Sequence, residues 1–160
     1  MPYQIRLATP EDANAMARLR VALLQDTGEL QESSELQAFV DLSAQYFVEA
    51  ITDHSYVGWV AEDEAQLVGM GGVNVFRRLP YPANPAGEEW YLLNMYTLPA
   101  YRGLGIGSAI TRAATAHAEA MGVHRVWLDT TDEGRPVYAK AGFIPSDAGS
   151  AMEYIVSRVE

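Results

Sequence analysis

The sequence contains no cysteine, which removes disulfides, thiolate metal ligands and cysteine nucleophiles from consideration. Positive charge is scarce as well: 11 lysines and arginines stand against 21 aspartates and glutamates, a formal net charge of -10. Nucleic-acid binding needs clustered cations to displace counterions from phosphates, so it is excluded as the main task. An acidic surface suits cationic partners, or simply keeps the chain soluble. No apolar run approaches the ~20 residues that span a bilayer, and the start Met1-Pro2-Tyr3-Gln4-Ile5-Arg6 has no signal-peptide core. The expectation is a soluble, cytoplasmic protein with no membrane partner. What the chain does have is material for one sizeable core. Its 160 residues are 49% hydrophobic and 10% aromatic, the composition of a single globular domain over residues 1–160 and not of a disordered chain.

The hydrophobic pattern alternates between the two regular periods. Tyr3 to Ala8 alternates as a short strand, and Thr9-Pro10-Glu11-Asp12 then reads as a helix start, with a capping threonine, proline at the first helical position and two acids at the positive dipole end. Met16, Leu19 and Leu23 form a helical stripe up to Asp26-Thr27-Gly28. A second helix is expected from Ser33 or Ser34 to about Asp53-His54, with Leu36, Phe39, Val40, Ser43 and Phe47 on one face. Tyr56 to Glu62 and Gln66 to Phe76 read as strands joined by Asp63-Glu64-Ala65; Gly69, Gly71 and Gly72 in the second hint at a close approach by another group. A proline-rich loop from Arg77 to Gly87 precedes a strand from Glu89 to Leu98. A glycine turn at Arg102 to Gly107 opens a helix that runs to about Met121, with Ile106, Ala109, Ile110, Ala113 and Ala120 inward, and Gly122 ends it. Arg125 to Thr131 is the next strand, Pro136 to Ala141 a short helix and Ala151 to Val156 a final strand. The fold class is mixed α/β.

The stretch from Tyr91 to Ser108 carries the chemistry. A strand feeds a turn containing Gly103, Gly105 and Gly107, and the turn opens a helix. Absent side chains let backbone N–H groups approach an anion, and the helix N-terminus adds about half a positive charge. Arg102 supplies a cation beside it. The arrangement suits a phosphate or pyrophosphate. A Walker loop is excluded because no lysine precedes Ser108. A dinucleotide turn needs G-x-G-x-x-G, whereas the spacing here is Gly103-x-Gly105-x-Gly107; Asp129 stands roughly where a ribose-binding acid would, so that reading keeps some weight. The third possibility is the pyrophosphate of an acyl-CoA.

The R-x-x-G-x-G spacing of Arg102, Gly105 and Gly107 resembles the coenzyme-A signature of the GNAT superfamily of N-acetyltransferases. Gly134-Arg135-Pro136-Val137-Tyr138-Ala139-Lys140-Ala141-Gly142-Phe143 resembles that family's late helix, and the element order matches across essentially the whole chain. Thr131 departs from the pattern, since many members carry an asparagine there that touches the cofactor. The resemblance implies a central, mixed, mostly antiparallel sheet flanked by helices and opened between the strands ending at Thr97 and Thr131. It also implies acetyl-CoA as cosubstrate. Binding would fall to residues Arg102, Gly103, Leu104, Gly105, Ile106, Gly107 and Ser108 in the turn, to the backbone of Met95, Tyr96 and Thr97 along the pantetheine arm, and to Thr131 and Tyr138.

Acyl transfer to an amine needs a base, an oxyanion donor and a proton for the leaving thiolate. By resemblance Tyr138 lies near the coenzyme sulfur, and a phenol of pKa ~10 can donate at neutral pH. An N–H around Met95 would face the thioester oxygen, and a bulge near Asn94 would free it. Glu89 matches the strand glutamate that serves as base in the histone-acetylating branch, with burial raising its pKa; a solvated strand start is the competing reading. Asn94 could order a relaying water. His54, His117 and His124 have no metal spacing, so no metal is assigned, and His117 falls on the apolar stripe of its helix as a packing residue. With no G-x-S-x-G elbow, direct transfer is expected. The acceptor, a small-molecule or peptide amine, would enter between the first two helices and the central strands, near the acidic segment Gln25 to Glu35, with Tyr46, Trp59, Asn74, Phe76 and Tyr91 as further candidates. A non-catalytic acyl-CoA sensor is the alternative function, and homodimerisation is a family habit.

Overall fold

A computed structural model describes residues 2–146. The strand expected at Ala151 to Val156 lies outside the described residues. Among the described residues five strands form one sheet in the order β1 (Gln4–Leu7), β2 (Tyr56–Asp63), β3 (Gln66–Arg77), β4 (Glu88–Thr97) and β5 (Arg125–Trp127). Every neighbouring pair is antiparallel except β4 and β5, which run parallel. This sheet is not the parallel, doubly wound arrangement that a dinucleotide site needs, so that alternative falls away.

Helices cover both faces. Pro10–Asp12 makes a short 3-10 turn that leads into α1 (Ala13–Asp26), and α2 (Leu36–Thr52) follows. The Asp12 carboxylate accepts from the Thr9 N–H at 2.8 Å, which closes the start of the first helix. The second helix begins at Leu36, later than expected, because Ser33 spends its Oγ and carbonyl on a turn, accepting from the Glu35 and Leu36 N–H groups. On this face Met16, Ala17, Val40 and Phe47 pack against Tyr56, Val60, Met70 and Tyr96. On the opposite face α3 (Ile106–Met121) lays Ile106, Ile110, Ala114 and Ala118 on Trp59, Val68, Val73, Trp90 and Leu92. Burying each large apolar side chain contributes about 1.5–3 kcal/mol, so the sheet is held from both sides. Gly122 caps α3 at φ 70°, with the Val123 N–H reaching Ala118 O at 2.9 Å. His117 lies in this layer, its ring 5.7 Å from both Trp59 and Trp90. The last helix, α4 (Arg135–Lys140), packs against α3.

The close approach suspected at the β3 glycines is real on both faces. A Cβ at Gly71 would lie 2.1 Å from Met95 Sδ and 2.9 Å from Ile110, while one at Gly72 would lie 2.2 Å from the Tyr56 hydroxyl. Ordered regular structure ends sooner than expected in β5: the pairing stops at Trp127 and not at Thr131. Thr130 and Thr131 instead turn their side chains to local bonds, Thr131 Oγ1 accepting from the Gly134 N–H at 3.2 Å. Among the described residues no helix is long and apolar enough to cross a membrane.

Overpacking a site this tight is destabilising by about 1–3 kcal/mol. Gly72→Ala should lower stability by that amount in urea unfolding and push Tyr56 away from Asn94. An unchanged midpoint would mean that Tyr56 moves freely and that the contact does not fix the sheet.

Candidate active site

The cleft begins where β4 loses its partner. Pairing with β5 runs only from Glu89 opposite Arg125 to Tyr91 opposite Trp127. Beyond Tyr91 the strand continues to Thr97 without β5. Its register with β3 also breaks, since Leu93 faces Gly72 and Tyr96 faces Met70, leaving Asn94 and Met95 without partners. Asn94 sits at φ 61°, the left-handed conformation that asparagine tolerates better than most residues. The bulge expected near Asn94 is therefore present. Its side chain is nearly buried and held on several sides: Nδ2 donates to the Tyr56 hydroxyl at 3.3 Å and Met70 Sδ at 3.4 Å, and Oδ1 accepts from Arg20 at 3.1 Å.

At the far end of β4 the chain passes through the 3-10 turn Pro99–Tyr101 into the glycine turn. Gly103 and Gly105 adopt φ 79° and 82°, conformations in which other residues are strained. Among the described residues no acceptor pairs with the N–H groups of residues 103–108; the first bond of α3 runs from the Ala109 N–H to Gly105 O at 2.9 Å. A Cβ at Gly103 or Gly107 would meet nothing within 4 Å, and one at Gly105 only the Tyr3 hydroxyl at 3.9 Å. Tyr3 fixes the turn from below by donating to Leu104 O at 3.1 Å, and Thr111 donates to Gly107 O at 2.7 Å. Unpaired donors, the positive end of a helix and open space in front of them fit a pyrophosphate.

Arg102 requires a correction. It is not a free cation beside the turn. Its guanidinium donates to Asp26 at the end of α1 at 2.8 Å and to Thr97 O at 3.1 Å, and it lies 5.5 Å from the centre of the Tyr96 ring. Tyr96 donates to the same Asp26 carboxylate at 3.1 Å. The hydrogen bonds from Arg102 and Tyr96 hold Asp26 below the usual carboxylate range. The group thus ties the start of the glycine turn to the end of α1.

Glu89 requires another. Its carboxylate has no exposed surface, and both oxygens are taken: Tyr81 donates to Oε1 at 2.8 Å, and Arg78 and Arg125 to Oε2 at 3.0 and 3.1 Å. Burial raises its pKa, but these three hydrogen bonds outweigh burial and leave the group below its ordinary value. An acid held ionised and enclosed cannot reach an amine, so the expectation of a raised base fails here. Its partners show what it does instead. They come from the proline-rich loop and β5, so Glu89 locks the paired end of the two strands.

Tyr138 stands on α4, half-buried, with its ring 6.0 Å from Phe143 in an edge contact. Burial alone raises its phenol above 10, so it is protonated at neutral pH. Asn74, Phe76 and Tyr91 share the sheet face under α1 and α2, and Tyr46 approaches it from α2. The Tyr46 hydroxyl donates to Asn74 Oδ1 at 3.2 Å, Phe76 meets Tyr91 edge-on at 6.4 Å, and Tyr91 packs on Trp127 at 4.4 Å while donating to Asp129 at 3.0 Å. Trp59 does not join them; it points to the α3 face, where it is buried. Arg20 and Tyr56 were not anticipated from the sequence, and Asp26 was anticipated only as part of the acidic segment Gln25 to Glu35. For Arg20 a signal existed, because an arginine four residues after Met16 falls beside the apolar stripe of α1.

Residues 21–143 match the acetyltransferase (GNAT) family. An uncharacterized N-acetyltransferase of Escherichia coli (strain K12), YjgM, is 31% identical over 145 residues, covering 87% of this chain and 80% of the relative. A "Probable glucosamine 6-phosphate N-acetyltransferase 2" of Oryza sativa subsp. japonica is 29% identical over 130 residues, covering 76% of each. Among solved structures, a "predicted acetyltransferase with acetyl-CoA" from Clostridium acetobutylicum superposes with a TM-score of 0.79 at 26% identity, over 94% of this chain and 96% of that one. The chain belongs to the acetyltransferase (GNAT) family, as an acetyl-CoA-dependent N-acetyltransferase.

The enclosed Glu89 makes a testable demand on stability. Because its folded pKa lies below the unfolded value of about 4.3, its contribution is full above that value and is lost as the pH falls through the folded pKa. Glu89→Gln should cost about 1–3 kcal/mol at pH 7, as expected when hydrogen bonds to a charged group are lost. It should also flatten the loss of stability on acidification. Urea unfolding at neutral and acid pH reads both effects, and a full loss of acetyl transfer in a variant of unchanged stability would return Glu89 to the base role.

Proposed function

We propose that the protein moves the acetyl group of acetyl-CoA directly to a primary amine of a small molecule or peptide. The observation that carries this reading is the parting of β4 from β5 after Tyr91, on a strand that leads into a glycine turn whose N–H groups have no acceptor among the described residues. The N–H groups of Gly103, Leu104, Gly105, Ile106, Gly107 and Ser108 would hold the pyrophosphate. The backbone of Met95, Tyr96 and Thr97 would bond the pantetheine arm as another strand would, and an N–H around Met95, which falls out of register with β3, would face the thioester oxygen as negative charge grows there. Thr131 would close the cleft beside the arm. Acetyl-CoA itself supplies the activated acyl carbon.

Two protons must move. The amine loses one before or as it attacks, and the leaving sulfur gains one. Tyr138, kept neutral by burial, is suited to give its phenolic proton to that sulfur. With Glu89 enclosed, the amine proton would leave through water, ordered by the remaining lone pair of Asn94 Oδ1. The rice relative is named for a small amino sugar, which supports small-molecule acceptors over peptides.

Thiol release from acetyl-CoA across a panel of amines tests the reading. Amine-dependent release supports it, whereas acetyl-CoA binding without release from any amine would favour a sensor. Tyr138→Phe should slow turnover by at least the lower end of the ~10²–10⁴-fold range of general acids, with acetyl-CoA affinity nearly intact. An equal rate, with chemistry shown to be limiting, would sink the acid role. Gly105→Val should raise the acetyl-CoA Kd by about tenfold or more in calorimetry. A folded variant that binds as tightly as wild type would make the turn structural only.

A further inference from the structure

Arg20 is a cation that the proposed reaction does not use. Three arginines among the described residues are half-buried: Arg6, Arg20 and Arg125. Arg6 is neutralised by Asp12 and Glu62, and Arg125 by Glu89. Arg20 has no carboxylate within 4.0 Å among the described residues. Its one hydrogen bond there goes from Nη1 to Asn94 Oδ1, a neutral acceptor, at 3.1 Å. A guanidinium carries five N–H donors in a fork that matches a carboxylate or phosphate, so most of its capacity is unspent. In a chain of net charge -10, counter-ions are plentiful, yet this position lacks one.

The place matters as much as the charge. Arg20 reaches from α1 to the bulge where β4 parts from its neighbours, on the face that the proposed acceptor enters. Two hydroxyls stand close by. Burial raises the pKa of both Tyr46 and Tyr56, and the Arg20 charge works against that rise in each, so its field covers them. A half-buried cation without a partner is unfavourable until an anion arrives, and the anion gains from the low local dielectric.

We infer that the acceptor is a primary amine that also carries an oxyanion, a carboxylate or a phosphate, and that Arg20 binds this group. Pairing there holds the molecule by its anionic end beside Asn94. The inference rests on the proposed transfer reaction and deepens it by naming the class of acceptor. The acidic surface repels anions in general, so Arg20 is the feature that would select them.

Matched pairs of amines test this. α-Amino acids are compared with their amides, and glucosamine 6-phosphate with glucosamine, by thiol release from acetyl-CoA; the two pairs distinguish carboxylate from phosphate. The wild-type protein should favour the charged member of at least one pair by about ten- to a hundredfold in kcat/KM, mainly through KM, which is the weight of a hydrogen bond to a charged group. Arg20→Met should collapse that ratio, and Arg20→Lys should retain part of it. A residue that merely steadied Asn94 would instead, on removal, slow both members alike, and that result would overturn the inference. A wild-type protein that prefers the neutral member, or treats the two equally, would overturn it without any variant. If no amine releases thiol, the transfer reaction itself fails. Release from neutral amines alone leaves that reaction standing and removes only the oxyanion.

Discussion

The site depends on one constraint: β4 is tied at its start and bent near its end. Glu89 draws Arg78, Tyr81 and Arg125 onto a single buried carboxylate, which holds β4 against β5 and pins the proline-rich loop beside them. Five residues later the left-handed Asn94 turns the strand out of register. Without the tie the two strands would lose the side-chain ion pair that reinforces their pairing; without the bend they could continue as a closed sheet. The opening follows from these two local demands, and the proposed backbone contacts to the coenzyme arm use the edge of β4 that β5 leaves uncovered beyond Tyr91.

The two faces of the sheet divide the work. On the α3 side the glycines of β3 allow the helix to press close, so Ile106 and Ile110 fix the position of the turn that precedes them. On the α1 and α2 side the packing is more polar. Arg20, Tyr46, Tyr56, Asn74 and Asn94 form linked contacts, and Asp26 reaches across to Arg102. Under the proposed function, an apolar floor for the coenzyme and a polar wall for the acceptor suit a reaction in which one substrate is constant and the other defines the enzyme.

The sequence was most informative where a single residue type decides the backbone. Gly105 and Gly122 bracket α3, and both adopt positive φ, so the helix was legible at both ends. The glycine turn was legible for the same reason. Side-chain partnerships were not, because they join residues far apart in the chain: Arg102 meets Asp26 across 76 positions, Arg20 meets Asn94 across 74, and Arg125 meets Glu89 across 36. Glu89 misled for this reason. A glutamate in a strand reads as a candidate base until the donors around it are known, and no local pattern announces three donors. The end of β5 was overestimated because Leu128 to Thr131 has strand-like composition, while its threonines serve the turn before α4.

Among the described residues β4–β5 is the one parallel pairing, and it has a consequence for how the molecule is made. Strands β2, β3 and β4 pair antiparallel with one another across short connections, so the centre of the sheet can zip early from local contacts. The β4–β5 pair cannot form until the crossover through α3 has folded back, and β1 must close on β2 across α1 and α2; both are slower closures between distant segments. The β4–β5 edge therefore assembles after the centre of the sheet and opens before it when the native state fluctuates. Ligands that bridge the two walls of the cleft would act as a clasp on this late-forming edge, protecting it from exchange and proteolysis long before they alter the core beneath.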